Sequence, residues 1–67
     1  MGYVIYLSEL GYYTGKTYIH QGEVFPITDN KVEDRTKKYT SKIRAEKAAE
    51  RISTKCDYVC SYEVKEI

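Results

Sequence analysis

Cys56 and Cys60 are the side chains best suited to metal or covalent chemistry, and their Cys-x-x-x-Cys spacing is one that zinc accepts. A structural zinc site wants four ligands in a tetrahedral array. His20 offers a third, and no second Cys/His pair completes the set. As a nucleophile a thiol acts through its thiolate, which needs a neighbouring base or cation. Lys55 adjoins Cys56 and is the one cation placed to help, if both side chains point the same way. The plainer expectation is two small apolar residues, reduced, because a framework of two cysteines does not belong to the dense disulfide class of secreted domains. His20, between Ile19 and Gln21, reads as a solvent-facing turn residue, since a lone general base has no partner within hydrogen-bond reach. There is no Gly-rich phosphate loop, no Ser-His-Asp pattern and no pair of catalytic carboxylates. The expectation is a protein without catalytic residues, metal or cofactor, acting by binding.

Charge and tyrosine are the two features that point to a ligand. Residues 31–55 hold nine of the eleven basic side chains against four acids, whereas the segments on either side are net acidic. A formal charge of +1 thus conceals a dipolar molecule. Lys37, Lys38, Lys42 and Arg44 cluster at a helix start, where unpaired backbone N–H groups already favour anions. These four are the candidate anion or nucleic-acid site; the bland alternative is a solvated helix face. Eight residues are Tyr, against one Phe and no Trp. Tyr12, Tyr13 and Tyr18 fall in a hairpin and are the phenols expected to stay exposed as partner-binding residues, because one helix cannot cover both faces of a sheet.

The elements that must position these groups follow from periodicity. Tyr3 to Leu7 is an apolar, β-branched and aromatic strand. Gly11 and Gly15 punctuate a second, bulged strand through Tyr12-Tyr13 and Thr17-Tyr18-Ile19, with Gly15 placed at a hairpin turn and Gly22 at the next. Glu23 to Thr28 makes a short third strand, and Pro26 confines it to an edge or a bulge. Lys31 to Lys38 is polar, one loose helical turn at most. Thr40 or Ser41 then caps a helix over residues 41–54, whose Ala45, Ala48, Ala49 and Ile52 form one apolar stripe. A closing strand alternates Tyr58, Cys60, Tyr62 and Val64 with Val59, Ser61, Glu63 and Lys65. The fold class is α+β: a single domain, residues 1–67, with an antiparallel sheet of three or four strands in ββ(β)αβ order under one helix.

The run from Tyr3-Val4-Ile5 through Gly11-Tyr12-Tyr13, Thr28-Asp29-Asn30-Lys31-Val32 and Lys38-Tyr39-Thr40-Ser41 to Ala45-Glu46-Lys47-Ala48-Ala49-Glu50-Arg51-Ile52 resembles a group of very short proteins common in phage and prophage genomes. That group shares a Thr-Asp dipeptide before a turn, an aromatic strand residue, a Ser/Thr helix cap and an alanine-faced helix. This chain departs from it near Arg35 and Thr36, where a small residue is usual. The resemblance implies the fold and a phage setting, and transfers no catalytic residue.

At 67 residues only about 60% of the unfolded surface can be buried, so a second chain is a natural source of stability. No run approaches the roughly 18 apolar residues of a membrane span. The opening Met1-Gly2-Tyr3-Val4-Ile5-Tyr6 lacks the features of a signal peptide or a myristoylation site, so the expected location is the cytoplasm. Ranked by these features, the first expectation is a protein-binding module that docks on a host protein, a defence factor or enzyme that it inhibits, or on a second copy of itself as a homodimer. The second is a nucleic-acid or nucleotide-phosphate binder that uses the basic cluster and exposed tyrosines.

Overall fold

The computed structural model describes residues 2–56, 59 and 61–67. Strands β1 (Tyr3–Leu7), β2 (Gly11–His20) and β3 (Glu23–Asp29) precede helix α1 (Lys42–Lys55), and β4 (Tyr62–Glu66) closes the chain. The strands form one antiparallel sheet in the order β3-β2-β1-β4, and α1 crosses the β1–β4 half. This is the α+β arrangement that the sequence predicts. No helix among the described residues is long and apolar enough to cross a membrane.

Turn chemistry sets the strand boundaries. Glu9 at φ 65° and Gly11 at φ 126° reverse the chain between β1 and β2. A Cβ at Gly11 would lie 2.4 Å from the Asp29 carbonyl oxygen, so glycine is required there for space as well as for φ. The β2–β3 hairpin turns at Gln21 (φ 52°) and Gly22 (φ 81°). Gly15 has the expected positive φ, 86°, but inside β2: the register shifts between Tyr13 and Thr17, and Gly15 belongs to that irregularity rather than to a turn. Pro26 pairs with Thr17 on the edge strand β3, where its missing donor costs nothing to the ladder.

The segment after β3 is not a helical turn. It wedges between β1 and β2 where the two diverge: Tyr39 pairs with Tyr3 through reciprocal 2.8 Å backbone bonds, and Lys37 N–H donates to Tyr13 O at 3.0 Å. Thr36, buried, accepts a 2.8 Å bond from Glu33 N–H and closes the preceding turn. Arg35 Nε donates to Asp29 Oδ2 at 2.7 Å, and a second guanidinium nitrogen reaches Oδ1. This fork holds the Asp29 carboxyl below its ordinary pKa, through hydrogen bonding first.

Ser41 is the N-cap, as its residue type suggests, although its hydroxyl makes no capping bond. Of the alanine stripe, Ala45 and Ala49 have no exposed surface and Ile52 almost none, whereas Ala48 is only half-buried on the flank of the helix. The core joins these residues to Ile5, Leu7, Tyr13, Cys56 and Val59. Small methyl groups let the helix backbone approach the sheet, and Tyr13 fills the width that they leave. Tyr58 and Cys60, expected in the closing strand, lie outside the described residues.

Candidate functional site

Tyr12, Tyr13 and Tyr18 do not share a surface. Strand alternation turns Tyr13 under α1, where it is 7% exposed, and sends Tyr12 and Tyr18 to the opposite face. The expectation that Tyr13 is exposed is therefore corrected: it is a core residue, because its side chain reaches the cluster that α1 forms over the neighbouring β1. Burial, then the neighbouring Tyr39 and Cys56, push its phenol pKa upward. Tyr12 packs edge-on against Tyr6 at 5.1 Å, with Lys65 Nζ 4.8 Å from the Tyr6 ring centre. Tyr18 stacks on Phe25 at 5.4 Å and stays 50% exposed. From Gly15 to Glu23 every residue of the hairpin is exposed. The face away from α1 thus carries two aromatic pairs.

The basic cluster is rearranged more productively. A groove of about 460 Å³ runs between α1 and the wedge segment, lined by Lys37, Lys38, Tyr39, Arg44, Lys47 and Arg51, among others. It continues into a hollow bounded by Gly15, Lys37, Arg51 and Lys55, with Tyr13 and Ile52 at its floor. No acidic side chain lines either part. The two loop cations have identifiable supports. The Lys37 stem lies over Gly15, whose Cβ, if it had one, would meet it at 3.1 Å, and the Lys37 ammonium sits 5.7 Å from the Tyr39 ring centre. Lys38 Nζ donates to the carbonyls of Glu33 and Thr36 at 3.0 and 3.3 Å, bracing the turn. Arg44, Lys47, Arg51 and Lys55 recur at i, i+3, i+7 and i+11 and so form one stripe of the helix.

Lys42 is not part of this groove. It lies two residues, about 200° around the helix, from Arg44, and lines the opposite cleft with Ile43, Glu46, Lys47, Glu50, Tyr62 and Val64. Three of the four expected anion-site residues are therefore brought together, and Lys47, Arg51, Lys55 and Tyr39 join them. The helical period from Arg44 carries the signal for the three helical additions; grouping cations by nearness in sequence misses it. Burial raises the Tyr39 phenol pKa, so the ring at the groove wall is neutral at physiological pH.

The ladder Lys47–Arg51–Lys55 places like charges at i, i+4, each pair unfavourable by about 0.2–0.5 kcal/mol. The first turn of α1 holds no acid. The Arg35–Asp29 ion pair lies away from the groove. The arrangement can hold a chain of phosphates, and beside them a flat ring against Tyr39.

His20 stands exposed at the end of β2 and Cys56 is buried at the end of α1. Among the described residues no group of three His, Cys, Asp or Glu side chains gathers where one ion could bind. No family model, no curated protein and no solved structure matches this chain.

Proposed function

We propose that this chain is a non-catalytic binding module for a single strand of nucleic acid, held along the groove between α1 and residues 37–40. The observation that carries this reading is the convergence of Lys37, Arg44, Lys47 and Arg51 on one groove that has no acid in its lining and Tyr39 on its wall. From Arg44 to Lys55 the helix rises about 16 Å. A phosphate backbone laid along that length presents several charges. An open groove of this extent suits a polymer better than a single phosphate, and a neutral phenol supports base stacking worth about 1–3 kcal/mol per base. The net charge of +1 places the attraction in the local field of residues 31–55 rather than in the whole molecule.

Fluorescence anisotropy of a labelled oligonucleotide of about 15 nucleotides, long enough for one groove, tests the reading. Wild-type protein is expected to bind at low salt, Arg51→Glu to lose at least about tenfold, and Tyr39→Leu to lose affinity for the single strand while keeping its fold. Wild-type protein that leaves the probe unbound at low salt sinks it.

A second reading, docking on a host protein, is favoured by the Tyr18–Phe25 and Tyr6–Tyr12 pairs on the sheet face that α1 leaves open. The likeness to short phage and prophage proteins supports a host target and an inhibitory role. Loss of a host partner on Tyr18→Ala, with an unchanged melting curve, is its expected signature.

A further inference from the structure

The two edges of the sheet are built differently. On β3, Pro26 removes a donor and the partner strand is bulged, both devices that discourage a further strand. On β4 there is no proline, and its register with β1 is unbroken from Tyr62 to Glu66. Ile67 N–H donates to Gly2 O at 2.8 Å, Gly2 N–H to Ile67 O at 3.4 Å, and Ser8 N–H to Ser61 O at 3.0 Å. Antiparallel alternation then turns the backbone groups of Glu63 and Lys65 inward to β1, and those of Tyr62, Val64 and Glu66 outward at the open edge.

We infer that β4 pairs with β4 of a second copy of this chain, antiparallel across a two-fold axis at Val64, so that two sheets become one. The commitment to a second copy rests on charge. With the axis at Val64, Glu63 of each copy lies opposite Lys65 of the other, twice by symmetry. These are non-hydrogen-bonded positions, where cross-strand side chains come closest. The outward groups form three pairs of reciprocal bonds: Val64 with Val64, and Tyr62 with Glu66 twice. Lys65, the residue type that usually blunts an edge, is drawn over the Tyr6 ring instead.

On the helix side the axis joins the two clefts that hold Ile43, 65% exposed, and Tyr62, 40% exposed. Lys42, Glu46, Lys47 and Glu50 frame each cleft with both signs of charge, which suits a self-complementary contact. The basic groove lies on the other flank of α1 and shares only Lys47 with this cleft, so Lys37, Arg44 and Arg51 stay open in the pair and this inference stands independently of the proposed ligand. Two grooves on one body would also raise affinity for a long strand by avidity.

Analytical ultracentrifugation tests it. Wild-type protein is expected to sediment as a dimer of the 7.8 kDa chain. Glu63→Lys alone and Lys65→Glu alone each raise the dimer dissociation constant by at least about tenfold. An equimolar mixture of the two variants restores the dimer, because each supplies the charge that the other lacks, and that recovery excludes misfolding as the cause of their dissociation. A wild-type chain that stays monomeric up to about 1 mM overturns the inference, whether the edge is then idle or takes an extended peptide of another protein. So do single variants that dimerise as well as wild type.

Discussion

The two flanks of α1 differ in electrostatic kind, and each faces a different part of the sheet. Toward β2 and the wedge segment lie Arg44, Arg51 and Lys55, with Lys47 on the crest between the two flanks, and no acid lines the groove they form. Toward β4 lie Lys42, Ile43, Glu46 and Glu50, both signs around an apolar strip. Between them runs the stripe of Ala45, Ala49 and Ile52, which joins the helix to the core. A stripe of like charges along an acid-free groove is suited to an external anion; a mixed stripe is suited to a protein surface, including its own.

The largest effects separate core from surface. Tyr13→Ala empties a site beneath the helix and is expected to cost about 3 kcal/mol, which lowers Tm by more than about 10 °C in a domain this small. Tyr18→Ala removes only an exposed stacking partner and should cost less than about 1 kcal/mol. Equal losses in thermal melts of the two variants would break the distinction between buried and exposed hairpin tyrosines.

A smaller effect, opposite in sign for stability and binding, sharpens the contrast of flanks. Arg51→Glu exchanges two repulsive i, i+4 pairs, with Lys47 and Lys55, for two attractive ones, each worth about 0.2–0.5 kcal/mol. Its Tm should rise slightly while oligonucleotide affinity falls. Glu50→Lys, on the other flank, should leave affinity no weaker. A variant at Arg51 that loses Tm and affinity together would point to a structural role instead.

The smallest effect is alkaline. Burial raises the phenol pKa of Tyr13 and Tyr39 above the ordinary 10.0. The folded chain therefore holds these protons to higher pH than the unfolded chain. Their contribution to stability is complete below about pH 10 and is lost as pH rises through the folded values. Melts of wild type across that range should show a fall in Tm that Tyr39→Phe makes shallower. An identical slope in the variant would remove Tyr39 from the account.

Much of the fold was legible because it rests on local patterns. β-branched and aromatic alternation marks β1, the alanine spacing marks α1, and Pro26 marks an edge. Position 15 shows the limit: glycine signals a positive φ without saying whether a turn or a bulge uses it. The site was half legible. Lys37, Lys38 and Arg44 are near neighbours in sequence, whereas Arg51 and Lys55 join them through the helical period, and Tyr39 through the wedging of residues 37–39 between β1 and β2. Lys42 lies on the other side of the helix for the same reason: nearness in sequence ignores the rotation of the helix. Which hairpin tyrosine is buried depends on which face α1 covers, a tertiary fact that alternation alone leaves open.

The salt dependence of single-strand binding addresses the central claim most directly. With Lys37, Arg44, Lys47, Arg51 and Lys55 engaging phosphates, a plot of log affinity against log salt should have a slope near −3.5, about −0.7 per contact, and Arg51→Glu should make it measurably shallower. An affinity that is flat in salt, or a slope unchanged by the loss of Arg51, would contradict the assignment of this groove to a nucleic-acid strand.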